Sequence, residues 1–112
     1  MSKLQDLFEM QSKLMELLGV DSGIGYNTPL FKDILICMAG ETHEALAHLA
    51  NSTKPWKQKE YDIEAEVKEE VVDVLFFLLE AWLIAGWKAE ELFEGYEKKY
   101  QKNIKRLEAA KS

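Results

Sequence analysis

Cysteine is almost missing from this sequence, with Cys37 the single example in 112 residues. One thiol excludes any disulfide within the chain, and its setting among Ile34, Leu35, Ile36 and Met38 predicts a buried thiol in a reducing cytoplasm. Proline is nearly as scarce. Only Pro29 and Pro55 occur, and both fall at expected element boundaries. Basic charge is in deficit, with 14 Lys and Arg against 20 Asp and Glu and a net charge of −6. A surface of that sign argues against a nucleic-acid partner, which would need cations to neutralise phosphates. The apolar run from Val71 to Ala85 is short and is interrupted by Asp73 and Glu80, so no membrane span is expected. The first residues carry no signal-peptide pattern.

What is present is apolar periodicity at helical spacing. An apolar fraction of 47% with 11% aromatics is enough for the core of one domain spanning residues 1–112. Leu4, Leu7, Phe8, Leu14, Met15 and Leu18 predict a first helix from Lys3 to Leu18, with Ser2 as N-cap and Gly19 as terminator. The three glycines between Gly19 and Asn27 predict a mobile loop, a candidate lid. Thr28 and Pro29 read as N-cap and first residue of a second helix reaching about Ala50. Asp62 caps a third helix that Gly86 ends, and a fourth runs from about Lys88 into a basic tail. The fold expected is an all-α four-helix bundle. Its third helix is apolar on most sides and therefore needs partners on most sides, so a homodimer or a dimer of dimers is expected to complete the core.

Two acidic pairs break the amphipathic rule. Glu41 and Glu44 lie on the stripe that carries Ile34, Met38, Ala45 and Leu49, and Glu70 and Asp73 stand just before a strongly apolar run. Residues three apart share a helix face, with Cβ atoms roughly 5–6 Å apart. If the two helices pack together, four carboxylates converge, and like charges about 4 Å apart repel by about 4 kcal/mol at an effective dielectric near 20. A cation between them removes that penalty. Oxygen-only ligands suit Mg²⁺, with Mn²⁺ as a substitute, better than zinc.

Three further features stand out. Gln11 lies on the apolar side of the first helix, where a partly exposed amide at the stripe edge is the commoner arrangement for glutamine. Lys54, Trp56, Lys57 and Lys59 form a locally basic stretch in an acidic chain, suited either to the anionic end of a ligand or to a solvated loop plugged by Trp56. His43 and His48 follow Gly40 and Ala45 at three residues, so neither makes the Glu-x-x-His motif of a di-iron bundle. Both histidines are expected at the surface or beside the ligands rather than among them.

Glu41-Thr42-His43-Glu44 followed by Glu70-Val71-Val72-Asp73 resembles the paired acidic motifs of the all-α nucleoside triphosphate pyrophosphatases, which include MazG-like enzymes and dimeric dUTPases. The resemblance to the dimeric dUTPases extends over most of the chain. Leu7-Phe8-Glu9-Met10-Gln11 resembles their first-helix segment, Lys54-Pro55-Trp56-Lys57 their Trp-containing loop, Phe77 an aromatic position after the metal-binding aspartate, and Tyr96 to Arg106 a tyrosine, lysine, asparagine and arginine segment. Phe76 stands where histidine is common in that branch, and the chain stops soon after Arg106 without the family's further glycine-tyrosine segment.

The resemblance implies a nucleoside triphosphate substrate, dUTP first among the candidates, with a broad-specificity MazG-like house-cleaning role as the alternative. Glu41, Glu44, Glu70 and Asp73 would hold Mg²⁺. Gln11, Phe77 and Asn103 would contact the nucleoside with Trp56 closing over it, and Lys54, Lys57, Lys99 and Arg106 would meet the phosphates. Glu41 or Glu44 would act as general base on water, giving the nucleoside monophosphate and pyrophosphate. A competing reading is a non-enzymatic helical oligomerisation or regulatory module whose carboxylates are merely solvated; such a module shows no Mg²⁺-linked rise in melting temperature.

Overall fold

The structure, a computed structural model, describes residues 3–51 and 62–111. Four helices account for almost all of them: α1 (Lys3–Leu18), α2 (Pro29–Asn51), α3 (Ile63–Ile84) and α4 (Ala89–Lys111). Helix starts follow local chemistry. Thr28 accepts a hydrogen bond from the Phe31 amide at 3.3 Å, and Asp62 accepts one from the Ala65 amide at 3.0 Å, each satisfying a donor that helical bonding leaves open. At α4 the Glu91 side chain accepts from the Lys88 amide at 2.8 Å, one half of a capping box.

Helix ends are as specific. At α1, Gly19 N–H donates to Glu16 O and Val20 N–H to Met15 O; at α3, Gly86 N–H donates to Leu83 O and Trp87 N–H to Trp82 O. Both are Schellman closures, with the glycine at φ 72° in the first and φ 82° in the second.

The loop between α1 and α2 departs from expectation. It is tied down rather than mobile, because Gly23 N–H donates to Leu83 O, which Gly86 N–H also reaches, and Gly25 N–H donates to Ile84 O, both at 2.9 Å, the second taking up a carbonyl that the end of α3 would otherwise leave open. Thr28 Oγ1 donates to Gly25 O at 2.9 Å, and Tyr26 stacks on Trp87 with ring centroids 6.3 Å apart. Trp87 also meets Phe31 and Trp82 edge-on, at 5.8 and 4.7 Å. Composition marked these residues as loop; what it could not show was that α3 supplies acceptors for the loop's amides.

Helix α3 is the centre of the molecule. It packs most extensively on α2 and also on α1, which in turn touches α4. Met15, Ile34, Ala81 and Ile84 form one buried cluster, and Phe8, Leu79 and Ala89 form another. Ile34, early in α2, therefore meets the end of α3, so the two helices run antiparallel. The core sits at the C-terminal half of α3, leaving its N-terminal half for other work. Cys37, expected to be buried, is exposed, because it lies on the outer side of α2 rather than on the face that Ile34 and Ala45 turn to α3.

Candidate metal centre

Antiparallel packing fixes which residues of α2 meet the N-terminal half of α3. Glu41 and Glu44 lie beyond Ile34 towards the C-terminal end of α2 and Glu70 lies before the core residues of α3, so antiparallel packing puts both acidic motifs on the same side of the core, where they meet. One carboxylate oxygen from each of Glu41, Glu44 and Glu70 falls within 4.8 Å of the other two. Glu41 and Glu70 are half-buried and Glu44 is exposed, so the group opens to solvent on one side.

Asp73 is half-buried one turn along α3 from Glu70, but its carboxylate lies outside this group. The structure thus brings together three of the four expected acidic ligands and sets the fourth at the site's core-ward end.

The electrostatics of the group are unfavourable as it stands. Among the described residues, Glu41 Oε2 and Glu70 Oε2 are buried without a hydrogen-bond partner. Glu70 bears the consequence, its carboxyl pushed well above the usual carboxylate range. Hydrogen bonding to Glu41, burial, hydrogen bonding to Glu44 and the like charges of both raise it from 4.5 to about 8. A proton is one remedy for three facing carboxylates, and a divalent cation is the other. The donors are oxygens only, closely spaced, and open on one side to a ligand, which fits a hard ion.

His48 is half-buried rather than at the surface, with Nε2 3.6 Å from Glu70 Oε1, and Glu66 lies beside both. Of the two places expected for His48, the surface or beside the acidic residues, the structure shows the second, while Glu66 did not figure among the expected site residues. The signal was spacing: His48 is four residues beyond Glu44 and Glu66 four before Glu70, the same faces one turn further out. His43 is exposed, as expected.

The remaining expected site residues fall into three sets. Gln11 is 3% exposed, and its Oε1 has no partner among the described residues. The stripe-edge amide expected from base rates is in fact an inward-facing one, between Phe8 and Met15 on the buried face of α1. Phe77, one turn beyond Asp73, packs against the Met15 and Ile34 cluster. Lys54, Trp56 and Lys57 lie outside the described residues. Lys99, Asn103 and Arg106 are exposed on α4, where Arg106 Nη2 donates to Asn103 Oδ1 at 2.8 Å. Helix α4 makes its main contact with α1 and none of comparable extent with α2, so these three do not join the carboxylates within the chain. A broad concavity between Glu94 and Lys105 belongs to the exposed face of α4 and is not a receptacle beside the acidic group.

Four helices with acidic residues gathered between the second and third have the all-α architecture of the dUTPase-like nucleotide pyrophosphatases, and the family match places the chain in that class. The dUTPase family model matches residues 3–84, well over half of the 112-residue chain, and the chain belongs to that family. The match takes in α1, α2 and α3 with every acidic residue of the site, and ends before α4. Neither curated proteins nor solved structures give a match.

Proposed function

We propose that this protein hydrolyses a deoxynucleoside triphosphate, dUTP first, to the monophosphate and pyrophosphate with Mg²⁺. The observation that carries this reading is the convergence of Glu41, Glu44 and Glu70 in a chain of the dUTPase family. Mg²⁺ held by these carboxylates, with Asp73 one turn away, would neutralise phosphate charge and orient the phosphate oxygens. Mn²⁺, with similar ligand preferences, is the expected substitute.

The chain's own residues then have separable tasks. Glu44, the most open of the three carboxylates, would take a proton from an attacking water, while the half-buried Glu41 and Glu70 would serve as ligands to the cation, which would displace the proton that Glu70 otherwise favours. Gln11 supplies an amide whose buried acceptor needs a donor, as an imide N–H of a pyrimidine would provide. Phe77, which packs against the Met15 and Ile34 cluster, would offer an apolar contact to the base. Lys54, Trp56 and Lys57 on the connection after α2, and Lys99, Asn103 and Arg106 on α4, are proposed phosphate and nucleoside contacts on the strength of the sequence resemblance.

We further propose a homodimer, or a dimer of dimers, in the cytoplasm. Its support is the apolar surface left on α2 and α3, where Leu35, Ile36, Leu46, Leu49, Val71, Val72, Leu75 and Phe76 are all exposed. No described helix is long and apolar enough to cross a membrane.

A panel of dUTP and the four standard deoxynucleoside triphosphates, assayed for pyrophosphate release with Mg²⁺, tests the reaction and the base together. Preference for dUTP is expected. Equal rates on all five would leave the broader pyrophosphatase, and release of inorganic phosphate with a nucleoside diphosphate would overturn the cleavage position.

A further inference from the structure

Glu70 faces two sets of donors, and only one of them is made of oxygens alone. On its other side are His48 of α2 and Glu66 of α3, with one ligand atom from each of the three residues within 4.8 Å of the others. The side chains of His48 and Glu70 are 21% and 13% exposed, so water screens this contact only in part. Their 3.6 Å nitrogen-to-oxygen separation exceeds an ordinary hydrogen bond of about 2.7–3.2 Å. It does suit two ligands of one ion, since bonds of about 2.0–2.2 Å meeting at about 90–110° put ligand atoms about 2.8–3.6 Å apart.

The chemistry of this second set differs from that of the first. An imidazole nitrogen with two carboxylates favours a borderline divalent transition ion, with affinity rising from Mn²⁺ towards Co²⁺ and Zn²⁺, over Mg²⁺. We propose that His48, Glu66 and Glu70 form a second cation position for such an ion, joined to the Glu41 and Glu44 position through the shared carboxylate of Glu70. Two cations on either side then replace the repulsion that one carboxylate feels from its acidic neighbours with attraction from both flanks. The position lies one turn further from the core than the oxygen-only group, on the faces that the four-residue spacings continue. The proposal shares Glu70 with the metal group of the proposed function and does not otherwise depend on the reaction.

The test is Mn²⁺ titration of the full, tag-free chain, read by electron paramagnetic resonance with spin-echo envelope modulation, which detects an imidazole nitrogen bound to the ion. The wild-type protein is expected to bind two Mn²⁺ per chain and to show nitrogen modulation. His48→Gln should lose the modulation and one equivalent of metal, whereas His43→Gln, which alters the chain's other histidine, should keep both. Glu66→Gln should weaken the nitrogen-coupled ion at least tenfold. Glu44→Gln should weaken the other ion while leaving the nitrogen signal, so loss of the oxygen-only position and loss of the histidine position read out separately. Absence of nitrogen modulation in the wild-type protein at saturating Mn²⁺, or its survival in His48→Gln, would overturn the proposal. The wild-type measurement stands even if a variant fails to fold.

Discussion

Glu70 is the residue on which the acidic group turns, because its proton is held by the very neighbours that a cation would share. A carboxyl whose folded pKa is raised from 4.5 to about 8 binds more protons in the folded state than in the unfolded one between those values. Its contribution to stability is therefore complete below about pH 4.5 and is lost as pH rises through about 8. In chelator, the melting temperature should fall between pH 6 and 9. Mg²⁺ should flatten that fall, and Glu70→Gln, which cannot ionise, should flatten it without metal. A melting temperature equally steep in the variant would show that other groups set the slope. Glu41 gives the second prediction at this scale. Glu41→Gln preserves shape but removes a charged ligand, so Mg²⁺-dependent pyrophosphate release should fall by roughly 100-fold or more, with the helical circular dichroism unchanged. The Mg²⁺-linked rise in melting temperature should shrink with it.

Among the elements, α3 does two jobs along its length, and each end is secured separately. Its start rests on the Asp62 cap, and Asp62→Ala should cost about 1 kcal/mol in urea denaturation. Its end rests on Gly86 at φ 82°, where a side chain meets the left-handed penalty of about 1–2 kcal/mol. A Cβ built there would lie 3.4 Å from Gly23 Cα, ordinary contact, so the backbone conformation rather than crowding sets the cost of Gly86→Ala. Because that turn also receives the loop from α1, Gly86→Ala should speed amide exchange at Gly23 and Gly25 as well as at the helix end. Unchanged exchange at those two amides would mean that the loop is held by its aromatic contacts alone. The loop reaches α3 about 20 Å from Glu70, too far to cover the acidic group.

The molecule as a whole is extended for its length. Its radius of gyration is 17.7 Å, against about 13 Å for a compact chain of this size. A chain with Tyr96 74% exposed and Phe76 45% exposed has not finished burying its apolar surface. Light scattering at micromolar concentration should give two or four times the chain mass. Phe76→Glu, placed on the exposed face of α3, should shift the protein towards monomer while the Met15 and Ile84 cluster keeps the chain folded. A well-folded wild-type monomer would refute the proposed assembly.

Local order was legible in the residues themselves. Helices, caps and glycine stops depend on side chains a few residues apart, so Thr28, Asp62, Gly19 and Gly86 marked boundaries that the fold respects. The pairing of Glu41 with Glu44 was equally local. Whether Glu70 would meet them, and whether Asp73 would join, depended on the register of α2 against α3, which no local spacing specifies. Cys37 shows the same limit, since an apolar neighbourhood in sequence surrounds a helix and does not say which side faces the core. His48 was expected at the surface or beside the acidic residues without a choice between the two, and Glu66 was passed over because it is unremarkable on its own helix. Only antiparallel packing brings His48 of α2 to Glu66 and Glu70 of α3, a contact made across helices that no spacing within one helix shows.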